Sequence, residues 1–260
     1  PRNHDFVKWR QEVILHDGSR IIEYPFVQNL SSYGTSESFV AVVEVDSFRA
    51  FQYRQTIQSE LDTLFPNIPN YNYVPALIEH ESCISLKHKR CWNPTSELLT
   101  KREQGLGLFQ HTRAFRADGT TRFDAVGDMK ARYKETLKEA NWDTLKTRPD
   151  IQIRMGVLGL RDNFKSLYSI RDENVRLQMT DAAHNTGLGN VNKKRRACGV
   201  AAGCNPQLWF GHVEKQCIGH TKVLYGNRSA CDIVTNHVKD VYKVRMPKYE
   251  KQYFTLKETP

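Results

Sequence analysis

The chain has 260 residues, 39% of them hydrophobic, and a mean hydropathy of -0.60, enough apolar mass for one large core or two small ones beneath a very polar surface. Its longest apolar run, at 39–43, is far too short for a membrane-spanning helix, so none is expected. A formal charge of +9 and a pI near 9.2 point to a polyanionic partner, either nucleic acid or a bacterial cell wall with its carboxylates and phosphates.

Residues 1–45 read as a β-rich extension. The chain opens at Pro1 with no charged-then-apolar leader and no Met, as expected of a processed chain. Val13, Leu15, Ile21 and Ile22 flank Asp17-Gly18, a hairpin signal, and a third strand is expected over 39–45 after a Ser/Gly-rich loop. From Asp46 the period changes. Phe48, Phe51, Ile57, Leu61 and Leu64 recur at helical spacing, Asp46 or Ser47 can cap the helix, and Pro66 stops it. A second helix follows, with Pro75 in its first turn and Leu77, Ile78 and Glu81 sharing a face. Residues 125–180 read as mainly helical, ending at Asn185-Thr186-Gly187, where Gly187 suits a left-handed cap. The run 193–196, Lys-Lys-Arg-Arg, is expected as a charged loop, and Asn205-Pro206 as the start of a short helix carrying Trp209 and Phe210. A last helix is expected over 232–243, with a polar tail after Pro247.

Six cysteines occur, with no Cys-x-x-Cys and no His-Glu-x-x-His, so disulfides are favoured and no metal site is expected. Cys83–Cys91 and Cys198–Cys204 would close short loops, and Cys217–Cys231 follows by elimination. Disulfides imply an oxidising compartment, periplasmic or secreted.

Glu81 is a carboxyl on an apolar helix face. Burial raises a carboxyl pKa, which would let Glu81 stay protonated and act as a general acid. Glu79 lies on another side of the same helix and is expected to face solvent. Gly105-Leu106-Gly107 lets backbone approach either a ligand or another element, and without a third spaced glycine after a strand a dinucleotide site is not expected.

Four blocks then stand in one order: Glu81-Ser82; Gly105-Leu106-Gly107-Leu108-Phe109-Gln110; Ile153-Arg154-Met155-Gly156 with Leu160 beyond; and Ala182-Ala183-His184-Asn185-Thr186-Gly187. Together they resemble the soluble lytic transglycosylase domain, the goose-type-lysozyme-like branch of the lysozyme superfamily, over residues 46–245. The resemblance implies an α+β, mainly α fold: a lysozyme-like helical domain over 46–260 behind the small N-terminal β extension. It also implies peptidoglycan glycan strands as partner, with cleavage of the β-1,4 bond between N-acetylmuramic acid and N-acetylglucosamine, and adds delivery to the cell wall by a phage as a further setting. No cofactor, metal, obligatory nucleic acid or transmembrane segment is implied, and a monomer is expected. Glu81 would be the acid and later the base, Ser82 the residue beside it, and Gln110 and Asn185 contacts to the sugar. In a transglycosylase the muramoyl C6 hydroxyl attacks and leaves a 1,6-anhydro product; in a lysozyme water attacks.

The sequence departs from the family pattern in places. His184 and His237 stand where aromatic residues are usual, and each would keep a polar contact near the acid. Phe109 replaces Met, and Gln152 replaces Asn. Glu103 adds a second carboxylate, which favours hydrolysis as the alternative reaction. Trp92, Trp142 and Trp209 are candidates for stacking on sugars or for the core. A non-catalytic basic binder of wall or nucleic acid is the remaining alternative, resting on the charge and the 193–196 run.

Overall fold

A computed structural model of the chain describes residues 12–15, 21–23, 39–41, 45–85, 88–218, 223–225, 227–250 and 253–254. The fold is α+β and mainly helical, as the sequence indicates. Strands β1 (Glu12–Leu15), β2 (Ile21–Glu23) and β3 (Phe39–Ala41) form an antiparallel sheet in the order β2-β1-β3, with Val13 opposite Ile22. The expected Asp17-Gly18 turn, the loop at 31–38 and residues 42–44 lie outside the described residues.

The helix expected from 46 to 64 is two: α1 (Val45–Gln52) and α2 (Arg54–Leu64), separated at Tyr53. Helix α3 (Tyr73–Ser82) follows, with Pro75 in its first turn, where an N–H has no intrahelical acceptor to lose. Tyr73 through Glu79 are all buried, so α3 is covered on every side and runs through the main core.

A four-stranded antiparallel meander that the sequence reading missed comes next: β4 (Glu97–Leu99), β5 (Glu103–Leu106), β6 (His111–Phe115) and β7 (Thr121–Asp124). These strands have three to five residues each and carry little apolar alternation, which leaves period-two reading without a signal. Asp124 then caps α4 (Ala125–Arg132) by accepting from Val126 and Gly127 N–H. Helices α5 (Trp142–Thr147), α6 (Pro149–Ser166) and α7 (Glu173–Thr186) complete the expected helical stretch.

Gly187 ends α7 at φ 87° and ψ 143°, a positive-φ conformation other than the left-handed cap expected, and the chain turns at once into α8 (Leu188–Val200). The 193–196 run is therefore helical and not a loop; Lys194 is 1% exposed and donates to the Glu214 carbonyl. The helix expected after Pro206 is absent. Turns carry the buried Trp209, and the first regular element is a single 3-10 turn at Val213–Lys215.

Strands β8 (Val223–Tyr225) and β9 (Arg228–Ser229) lead into α9 (Ala230–Lys239), capped reciprocally by Ser229 and Asp232. The helix then widens into a π segment, Asp240–Arg245, and continues as α10 (Met246–Glu250). The expected polar tail is thus structured at its start: Tyr249 and Tyr253 are buried in the main core. All three expected disulfides are present, Cys83–Cys91, Cys198–Cys204 and Cys217–Cys231. No helix among the described residues is long and apolar enough to cross a membrane.

The turn at 107–110 is seated on α6. Gln152, fully buried, accepts from Leu108 N–H at 2.8 Å and donates to the carbonyls of Pro94 and Leu145. Gly107 sits against this amide at φ 80°, where a Cβ would lie 2.1 Å from Gln152 Oε1. Gly156 likewise gives its space to the Phe109 ring, 2.6 Å from where a Cβ would stand. The glycine spacing thus serves approach to another element. Gly107→Ala is expected to destabilise the protein by roughly 2–4 kcal/mol through this clash and the positive φ. Urea denaturation checks it; an unchanged midpoint contradicts this account of the turn.

Candidate active site

Glu81 lies in the last turn of α3, with its side chain 17% exposed. It lines a cavity of about 510 Å³ together with Glu103, Phe109, Gln110, His184 and Asn185. Segments from α3, the β4–β7 sheet, α6 and α7 thus meet at one concave surface. Of the seven site residues expected from the sequence, five line this cavity. His237 is 3% exposed; from α9 it contacts the acid and lines the second cavity described below. Ser82 lines neither cavity. Its hydroxyl donates to the Ile78 carbonyl and accepts from Trp92 N–H, bracing the Cys83–Cys91 loop.

The sugar contacts expected at Gln110 and Asn185 differ in character. Gln110 holds φ 47° and donates from Nε2 to the carbonyls of Gly107 and Ser96, so part of its amide braces its own turn. Asn185 is exposed at the end of α7 and borders a second cavity, of about 690 Å³, whose lining also includes His80, His237 and Asp240. Trp92 and Trp209 are core residues at 2% and 0% exposure.

Two imidazoles meet one oxygen of the acid. His237 Nε2 is 2.9 Å from Glu81 Oε1, and His184 Nε2 is 3.4 Å from the same atom. Behind His237, its Nδ1 lies 3.1 Å from Asp181 Oδ2, and the Tyr73 hydroxyl donates to Asp181 Oδ1 at 2.9 Å. Asp181 and Tyr73 are fully buried. The result is a continuous line of hydrogen bonds, Tyr73 to Asp181 to His237 to Glu81, drawn from α3, α7 and α9.

The charges in this line follow from its geometry. Burial disfavours an imidazolium, but a carboxylate on each side of His237 outweighs it and pushes its pKa up to about 10. Burial likewise raises the Glu81 carboxyl, yet the hydrogen bonds and charge of His184 and His237 hold it well below the usual carboxylate range. The expectation that burial keeps Glu81 protonated is therefore overturned: its histidine partners hold it ionised, and the two carboxylates beside His237 favour the proton on that ring. His111, at the cavity wall, is pushed down to about 4 by burial, and its Nε2 sits 3.0 Å from the Gln152 carbonyl.

Glu79 corrects a second expectation. It is 3% exposed, not solvent-facing. Its carboxylate receives Arg245 Nη1 at 2.9 Å, Lys248 Nζ at 2.8 Å and the Tyr249 hydroxyl. The C-terminal segment folds over that side of α3, which sequence spacing within α3 does not reveal. Asp181 was also missed. The signal was present as a carboxylate spaced four from Leu177 and three from His184 on one helix face.

His237 supplies a stability term whose sign is fixed by its raised pKa. The contribution is fully present below about pH 6.5 and is lost as pH rises through about 10. Asp181→Asn removes a buried partner and is expected to cost on the order of 3 kcal/mol near neutral pH. Denaturation midpoints of the two proteins should converge between neutral and strongly alkaline pH; parallel curves contradict the ion pair. Compared with models of protein families and with curated proteins, the chain matches none.

Proposed function

We propose that this protein cleaves the glycan strands of peptidoglycan between N-acetylmuramic acid and N-acetylglucosamine, with Glu81 as general acid and then base. The observation that carries this reading is the placement of Glu81 in a cavity with the His237 Nε2 2.9 Å from its Oε1. The order of the four sequence blocks around it supports the same reading.

Both histidines address Oε1, and among the described residues Oε2 has no hydrogen bond. His237 first gives its Nε2 proton to Glu81 Oε1, and the carboxylic acid so formed turns to pass that same proton to the leaving oxygen. Glu81 then accepts the proton of the attacking hydroxyl and returns it to His237. Asp181 and Tyr73 act through His237 as positioning residues: they hold its ring and stabilise its cation. The wall formed by Phe109 on Gly156 gives the sugar an apolar face.

The attacking group is the sugar's own C6 hydroxyl in the favoured reading, which yields a 1,6-anhydro end. Water is the attacker in the second reading, and the presence of Glu103 on the same cavity wall favours it. Glu81→Gln is expected to reduce the clearing of purified sacculi at least about 100-fold while leaving the fold intact by circular dichroism. Clearing at the parent rate contradicts the role of Glu81. Mass spectrometry separates the two reactions, because 1,6-anhydro ends are lighter by one water than reducing ends. Glu103→Gln should spare anhydro-forming activity and abolish hydrolysis.

A further inference from the structure

The cavity of about 690 Å³ beyond Asn185 is cationic, and the one holding Glu81 is not. Arg228, Lys239 and Arg245 line it, with Asp240 as the one carboxylate among its described lining residues. Asp240 is already engaged: His80 Nδ1 lies 2.6 Å from it and Arg245 Nε binds the same oxygen. Arg245 is further held by Glu79. Arg228 and Lys239 make no ion pair with any described residue. Both side chains are exposed, and their backbone positions lie on regular elements, Arg228 on β9 opposite Tyr225 and Lys239 at the end of α9.

The Glu81 cavity has the opposite character, with Glu81, Glu103, Asp128 and Asp162 against Arg132, which pairs with Asp162 at 2.6 Å. Carboxylates on a bound strand are repelled there and attracted beyond Asn185. The two cavities share Asn185, and His237 lines the cationic one while bonding Glu81, so they are neighbours on either side of Asn185. We infer that the cationic cavity is a subsite for the peptide substituent of the strand, with Arg228 and Lys239 binding a free peptide carboxylate. This rests on the glycan-cleaving reading and adds to it a preference for peptide-bearing strands and a fixed direction of the strand across Glu81.

The test uses the full chain and three soluble probes: N-acetylglucosaminyl-N-acetylmuramic acid carrying a tetrapeptide, the same compound with its peptide carboxylates amidated, and the bare disaccharide. Calorimetric titration of the parent protein is expected to give about tenfold tighter binding of the free-acid peptide than of the amidated one, the size of two partly exposed charge contacts. Arg228→Gln with Lys239→Gln is expected to bind all three alike, and Arg228→Lys with Lys239→Arg to restore the preference. Equal binding of acid and amide by the parent protein, or a preference that survives the Gln pair, overturns the proposal. Sacculus clearing is measured alongside. Clearing without a carboxylate preference removes the subsite alone, whereas no clearing and no binding of any probe removes the glycan reading with it.

Discussion

The site depends on one buried arrangement of charge: an imidazolium held between two carboxylates. His237 and Asp181 are almost without solvent exposure, and neither charge is tolerable there alone. Each makes the other admissible. Glu81 completes the set from the cavity side, and it is the one member with solvent contact. The protein thereby stores a proton beside a carboxylate that would otherwise lose it to water, without relying on an apolar pocket to keep that carboxylate neutral.

The fold is arranged to deliver these three groups to a common point. Helix α3 carries Tyr73 at its first residue and Glu81 near its last, so both ends of the hydrogen-bonded line belong to one helix. Asp181 and His184 come from α7, one turn apart, and His237 from α9. The π segment after α9 carries Asp240, which meets His80, and Arg245, which meets Glu79. The Glu79 cluster then fixes α3 to the C-terminal segment, and the Gln152 amide fixes the 107–110 turn to α6. Buried polar groups, each satisfied by several partners, set the relative placement of the elements that surround the cavity.

Much of this was legible in the chain. Periodicity located the helices that carry Glu81, His184 and His237, and short cysteine spacings gave two of the disulfides, leaving Cys217–Cys231 by elimination. The order of four blocks brought Gln110 and Asn185 to the acid and flagged His184 as a departure, and the later Asn236-His237-Val238 segment flagged His237. What escaped has physical reasons. The meander carrying Glu103 is too short and polar to show a two-residue period. Glu79 was misjudged because the groups that bury it, Arg245, Lys248 and Tyr249, lie more than 160 positions away. Asp181 was passed over because its spacing from Leu177 and His184 marks a shared helix face but not the partners, Tyr73 and His237, that come from other helices. The ionisation of Glu81 was misjudged for the same reason: burial is readable from a helix face, but the cation that opposes its effect arrives from α9.

The central claim is that the proton beside Glu81 resides on His237. Nitrogen-15 NMR of the His237 ring tests it most directly, with Asp181→Asn assigning the resonance. Both ring nitrogens are predicted to stay protonated from about pH 6 to about pH 9, with loss of the proton only near 10. A neutral imidazole titrating near the ordinary histidine value would contradict the account.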